Sequence, residues 1–320
     1  PTSAMQSRRL MASGASQTTS RRTPFKFLDP YGPADRDIFF GRELEIAELY
    51  SRFYKSRLLV IYGESGAGKT SLIQCGLRNA IPPEDALFLN IRSAIDPLQS
   101  LYNELQRHIA VPGNGPWTEA STLLREVAER KSKSLVLIFD QFEEFFLFQP
   151  EVARQAMIAE MAAWLSQDLK IHIIIGIREE FLARLTELEP VLPGLYQNRL
   201  WVRRMSRDHA RQVVTGPCQA CGVGIEPGLV AVLLDELAQG GNGVELPILQ
   251  VVIDALYRQA VDKAPRRPLL TVAAYQAMGR TGSILAGFVE DKVKACANQE
   301  QVRQVLKALV TSAGTRQLSS

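Results

Sequence analysis

Residues 63–71 read GESGAGKTS and constrain the chain more than any other stretch. They follow the apolar run Leu58-Leu59-Val60-Ile61-Tyr62 and lead into Leu72-Ile73-Gln74, which predicts strand, glycine-rich turn and helix in succession. Gly63, Gly68, Lys69 and Thr70 stand at the spacing of a phosphate-binding loop. The chemistry explains each position. Gly63, Gly66 and Gly68 let backbone N–H groups approach phosphate oxygens with no Cβ in the way. A helix beginning near Lys69 adds its positive dipole end. Lys69 brings a point charge to β- and γ-phosphates, and Thr70 offers a hydroxyl to Mg²⁺. Ala67 and Ser71 complete the loop.

A strand ending in such a loop belongs to an open parallel sheet, and the rest of the chain agrees. Leu87–Ile91 reads as a strand. Leu135-Val-Leu-Ile-Phe139 and Ile171-His-Ile-Ile-Ile175 are continuous apolar runs, the pattern of strands buried on both faces. Leu200–Val202 is a last, short strand. Helices are expected between them at about 42–54, 69–79, from Pro97, 118–131, 151–166 and 179–188, with a loop at 112–116. Strands alternating with helices predict an α/β, doubly wound parallel sheet. From Ser206 the period changes. Helices are expected at about 207–215, 227–239, 246–260 and 271–279, with no strand between them, then at 283–296 and 299–312. The predicted organisation is a tail or linker over 1–24, a nucleotide-binding domain over 25–204, an all-α domain over 205–281 and a further unit beginning at 282.

Three positions join the loop at the carboxyl edge of that sheet, where ligands bind in open α/β folds. Asp140 ends a buried strand some 70 residues after the loop, as a Mg²⁺-holding acid does. Glu143 and Glu144 follow in DQFEEFF; one of them can orient and deprotonate an attacking water, and Glu144 is the preferred choice. Arg178 closes IHIIIGIR, a strand expected between those bearing the loop and Asp140, and can reach a γ-phosphate.

Other features carry less. The 320 residues are 46% hydrophobic and 22% charged with a net charge of +3, an ordinary globular balance that gives no general affinity for nucleic acid or an anionic membrane. No apolar run approaches the roughly 20 residues of a membrane span. Four dispersed cysteines form no disulfide framework and suit a reducing, cytoplasmic setting. Cys218-Gln-Ala-Cys221 has neither a second pair nor nearby histidines, and reads as small residues in a turn between helices. His108, His172 and His209 fall in separate elements. Arg199, Arg203, Arg204, Arg207 and Arg211 read as a solvated face or as partners of internal acids. Residues 1–23 are rich in Ser, Thr and Arg with no acid, a composition shared by a linker, the preferred reading, and by an organellar targeting segment. The chain opens at Pro1 and ends at Ser320 in mid-pattern, so a longer parent with further domains is expected.

FFGRE at 39–43, GESGAGKTS at 63–71, LVLIFDQFEEFF at 135–146, IIIGIREEF at 173–181 and ELPILQ at 245–250 occur in that order. Together they resemble a STAND-class signal-transduction ATPase of the novel STAND type. The resemblance covers about residues 25–320. It implies an AAA+-like P-loop sheet with an extra strand between the two anchor strands, then a helical domain and a winged helix truncated here. It implies that Phe40 and Gly41 line an adenine pocket that Pro247 closes. It implies ATP/ADP and Mg²⁺ as cofactors, with Lys69 and Thr70 on phosphate and metal, Asp140 on metal, Glu143 or Glu144 on water, and Arg178 as sensor.

The function implied is a slow, Mg²⁺-dependent ATPase that works as a switch. Sensing would permit nucleotide exchange, and the opened form would self-associate. Effector and sensor domains of the full-length chain are the other expected partners, and a role in bacterial defence is an analogy of family alone. The alternative is an origin-binding, DNA-dependent AAA+ ATPase, disfavoured by the near-neutral charge. A GTPase lacks its Asn-Lys-x-Asp motif, and a metabolic kinase lacks a second catalytic constellation.

Overall fold

Five parallel strands form the central sheet: β1 Leu58–Gly63, β2 Ala86–Arg92, β3 Ser134–Asp140, β4 Ile171–Arg178 and β5 Arg199–Trp201. The computed structural model describes residues 22–109, 120–238 and 243–309. The spatial order is β2-β3-β4-β1-β5, so β4 lies between the strands carrying the phosphate loop and Asp140, as the family resemblance implies. Register aligns their ends: Gly63 pairs with Arg178, Phe139 with Ile175 and Arg92 with Asp140.

The strands are apolar throughout because helices cover both faces. On one face β1, β3 and β4 send Val60, Leu137 and Ile173 against Leu101, Leu124, Met161 and Trp164. On the other, Leu59, Ile61 and Ile138 meet Leu49, Phe53, Ile73 and Leu77. The helix Glu43–Lys55 and the helix after the loop supply that second layer. The latter runs from 69 to 80, and its central segment Leu72–Leu77 is π-wound. Asp96 caps the helix Pro97–Gln106 by accepting from the N–H groups of Leu98 and Gln99.

A second core, with Val214, Leu233, Leu249, Val252, Leu256 and Tyr275 at its centre, is built by the helices that follow. The helix Arg207–Cys221 runs past the expected end at 215, carrying Pro217 inside it, and stops at Gly222 with φ 63°. The Gly216-Pro217 pair looks like a terminator, but the real stop is the left-handed Gly222 at the C-cap, a position glycine favours. Cys218 and Cys221 therefore sit on the last turn of a helix, not in a loop. Two strands of two residues, β6 Gly224–Ile225 and β7 Leu269–Leu270, pair in parallel where none was expected; they are too short to leave a periodic signal. The expected boundary at 282 falls inside the helix Arg280–Lys294, whose Ile284 joins this same core, as does Phe25 from the amino-terminal side. The loop at 112–116, most of the tail and everything past 309 lie outside the described residues.

Candidate functional site

The carboxyl ends of β1, β3 and β4 converge on a cavity of about 310 Å³. Its walls include the loop (Ser65, Gly66, Gly68, Lys69, Thr70, Ser71), the strand ends (Asp140, Glu143, Arg178) and, from the helical body, Val213, Leu246, Pro247 and Gln250. Phe39 and Phe40 close one side, and residues 27–31 close another. A larger cavity of about 810 Å³ opens at the opposite edge of the sheet, beside Tyr54, Arg57 and His172, away from the phosphate loop and both strand-end anchors.

Glycine is required where the loop meets its surroundings. Gly66 has φ 77°, and a Cβ there would lie 2.6 Å from Pro247 Cγ. Gly63 lies under β5, where a Cβ would be 2.2 Å from the Val202 carbonyl oxygen. Gly63, Ala67 and Gly41 shape the site from behind: none of the three lines the cavity. Ala67 is buried, its carbonyl accepting 2.8 Å from Arg42 Nη2, while Gly41 packs under the His209 carbonyl. Arg42 is itself buried and also donates to the Arg203 carbonyl at 3.1 Å, tying the loop to the segment that leads into the helical body.

Lys69 Nζ donates to the carbonyls of Gly63 and Glu64 at 2.8 and 2.9 Å. Burial pushes its pKa down, against the attraction of Glu143 and Asp140, so the ammonium is a desolvated charge held beside a phosphate-sized space. Thr70 Oγ1 donates to Asp140 Oδ2 at 2.6 Å. Burial pushes the Asp140 pKa up, opposed by that hydroxyl. Gly176 on β4 makes room for this carboxylate, since a Cβ would stand 2.6 Å from Asp140 Oδ1.

After Asp140 the chain turns sharply. Gln141 has φ 54°, and Phe142 N–H donates to the Gly176 carbonyl at 2.8 Å. The helix Glu143–Phe148 then begins at once, so the two acids open a helix instead of occupying a loop. Glu143 is 4% exposed and faces the cavity; Glu144 does not line it. Sequence alone favoured Glu144, because neighbouring acids cannot be told apart before the helix phase is known. Glu143 binds Arg178 twice: Oε1 meets the guanidinium Nε at 2.8 Å and Oε2 accepts from its backbone N–H at 3.2 Å. Arg178, at the end of β4, thus pairs with the first residue of the helix Glu143–Phe148 and not with its neighbours Glu179 or Glu180.

Two members of the arginine cluster, Arg204 and Arg207, have acid partners within the chain. Arg204 bridges Glu64 of the phosphate loop, 2.5 Å, and Glu245 at the foot of the helix Leu246–Lys263, 2.9 Å. Arg207 pairs with Asp235, and Arg203 stacks 4.3 Å over Trp201. The cysteines are free, and among the described residues no group of three or more His, Cys, Asp or Glu side chains could hold a metal by itself. No described helix is long and apolar enough to cross a membrane.

Sequence reasoning missed Tyr31, Phe39, Arg42 and Gln250 as components of the site. Phe39 and Arg42 lie within the FFGRE motif, and Gln250 stands three residues beyond Pro247 and hence on its face of one helix; Tyr31 carried no signal.

The family model described as Novel STAND NTPase 1 matches residues 24–319. No curated protein matches the chain. Among solved structures, the Walker-type ATPase of Pyrococcus abyssi is 16% identical with a TM-score of 0.58, covering 88% of this chain and 80% of its own. The Aeropyrum pernix ORC1 protein, solved in complex with DNA, is 17% identical with a TM-score of 0.55, at coverages of 80% and 68%. The ORC2 protein of the same organism, in its ADP form, is 14% identical with a TM-score of 0.57, at 76% and 67%. At such identities the likeness concerns the fold.

Proposed function

The chain belongs to the novel STAND NTPase 1 family, and from that premise we propose that it is an adenine-nucleotide switch with slow, Mg²⁺-dependent ATP hydrolysis. The observation that carries this reading is the convergence of Lys69, the Thr70–Asp140 pair and the Glu143–Arg178 pair on one cavity whose far wall, Pro247 and Gln250, comes from a second core. A nucleotide in that cavity touches both bodies, so its identity can set how they sit together.

The residues present fit the ligand. Lys69 would exchange two loop carbonyls for β- and γ-phosphate oxygens. Thr70 and Asp140 supply two oxygens, enough for Mg²⁺ when phosphate oxygens and water complete the shell. The cation there would neutralise charge on the phosphates. Glu143 is placed to take a proton from a water or to hold Arg178, and Arg178 reaches toward the terminal phosphate. The Arg204 bridge from Glu64 to Glu245 and the buried Arg42 hold the bodies closed. Opening would free surface for self-association, with sensor and effector domains supplying input and output in the cytoplasm. A DNA-binding role is less supported: Arg204 and Arg207 are neutralised internally.

Lys69→Ala tests the reading. A charge-assisted contact is worth roughly 1.5–3 kcal/mol, so ATP affinity should fall about ten- to a hundredfold with an unchanged melting transition. Unaltered affinity would remove Lys69 from the site, and guanine nucleotide released on denaturing the wild-type protein would remove adenine.

A further inference from the structure

Two buried polar atoms on the wall of the cavity have no hydrogen-bond partner. Tyr31 and Gln250 are each 8% exposed and both line it. Tyr31 Oη and Gln250 Oε1 make no hydrogen bond of acceptable geometry. The amide lies near enough to the phenol to oppose the rise that burial gives its pKa, to about 12, yet the two do not satisfy each other. A buried, unsatisfied acceptor is costly, and such groups in a binding cavity point to a ligand that pairs with them.

The two come from different parts of the molecule. Tyr31 belongs to the amino-terminal strap, where its backbone N–H donates to Ser71 Oγ at 3.1 Å and its ring lies 5.5 Å from Phe39. Gln250 stands on the helix Leu246–Lys263, whose Tyr257 also packs edge-on against Phe25 of the strap. The phosphate loop lines the same cavity, and its Ser71 is the residue that the Tyr31 N–H reaches.

Adenine offers a 6-amino donor beside ring-nitrogen acceptors, and Gln is a natural two-point partner for that edge. Resting on the nucleotide reading above, we infer that Gln250 and Tyr31 read the base. The amide oxygen of Gln250 accepts from the 6-amino group, and the hydroxyl of Tyr31 donates to the adjoining ring nitrogen. Base recognition then joins the strap to the helical body, and the base is part of what holds the two bodies together. A purine lacking the 6-amino group leaves Gln250 Oε1 unpaired and is rejected for that reason.

Isothermal titration of ATP and of purine riboside 5′-triphosphate, which carries hydrogen at position 6, measures this. Wild type should prefer ATP by about tenfold. Gln250→Leu should weaken ATP and bring the two ligands within about twofold, while Tyr31→Phe weakens both. Gln250→Met, another apolar side chain of similar length, replaces Gln250→Leu if that variant does not fold. Equal affinities in wild type, or an undiminished preference in the Gln250 variants, would overturn base reading while leaving nucleotide binding intact. Binding of neither triphosphate to wild type would overturn the nucleotide reading and this inference with it.

Discussion

Gly216→Ala sets two known effects against each other. In an ordinary exposed helix the substitution stabilises by about 1 kcal/mol, because glycine costs more chain entropy. Gly216 lies inside the helix Arg207–Cys221, but the ring of Phe40 rests on it: a Cβ there would lie 2.5 Å from two ring carbons and 2.9 Å from a third. Real Cβ contacts do not come this close, and a rigid aromatic ring can relieve them only by swinging away as a whole. Pro217 follows, which further disfavours the helical conformation for any residue with a Cβ. Overpacking costs about 1–3 kcal/mol, so it cancels or exceeds the propensity gain. Phe40 is only half-buried, and its free direction is the cavity. The ring is therefore driven into space that a base needs. Base–aromatic contacts are worth about 1–3 kcal/mol, so ATP affinity should fall roughly ten- to a hundredfold, with stability unchanged or lowered by up to about 2 kcal/mol. Calorimetric titration and a thermal melt on the same sample measure both. Unchanged affinity with a raised melting temperature would refute the reasoning, because it would mean that Phe40 is not pinned by Gly216.

Three further outcomes follow from the site and the sheet. Glu143→Gln should abolish ATP turnover in a phosphate-release assay while ATP still binds, and Glu144→Gln should leave turnover within about twofold, because only Glu143 lines the cavity; the reverse result would return the role to Glu144. Arg178→Ala should lower ATP affinity roughly ten- to a hundredfold and spare ADP, since only ATP presents a γ-phosphate to the guanidinium; equal losses would make Arg178 a general support of the pocket. His172, stacked 4.1 Å from Phe53, has its pKa pushed down from 6.5 to about 4 by burial, so the fold prefers the neutral ring. That stability is whole above pH 6.5 and is lost as pH falls toward 4, by about 3 kcal/mol in all; urea unfolding across this window should show it, and His172→Gln should flatten the dependence.

The chemistry-bearing strands were legible because burial on both faces leaves mostly apolar runs, and the residues ending them, Asp140 and Arg178, stand out as their charged positions. The placement of β4 between the anchor strands came from the family resemblance, since a crossover order leaves no mark in local periodicity. Glu143 was not separable from Glu144, because the helix phase depends on the left-handed Gln141 and on the Phe142 N–H bond to Gly176, a tertiary contact. The helix through Pro217 was hidden by a Gly-Pro pair that reads as a stop. Tyr31 was invisible for another reason. The strap has almost no regular structure, and its value lies wholly in what it packs against.

Two sets of groups on the cavity wall are prepared differently, and the difference bears on how such a switch works. In the phosphate-binding set every group already has an internal partner: Lys69 has two carbonyls, Thr70 has Asp140, and Arg178 has Glu143. A phosphate must displace these contacts, so each new bond contributes only its excess over the one it replaces. Tyr31 Oη and Gln250 Oε1, by contrast, make no hydrogen bond of acceptable geometry that a ligand would have to break. The base, which ATP and ADP share, should therefore add affinity for both nucleotides without displacing an existing bond. Discrimination should come from the phosphates, where trading the Arg178–Glu143 pair for a γ-phosphate leaves a small net difference. A small difference is what a switch requires. A ligand shifts two states only by its differential affinity for them, and a few kcal/mol moves a population from one state to the other while leaving exchange possible. Glu64 belongs to the same loop and is held by Arg204, which also grips Glu245 below the helix that carries Pro247 and Gln250. Rearrangement of the loop carbonyls that Lys69 now occupies is thus one ion pair away from the helical body.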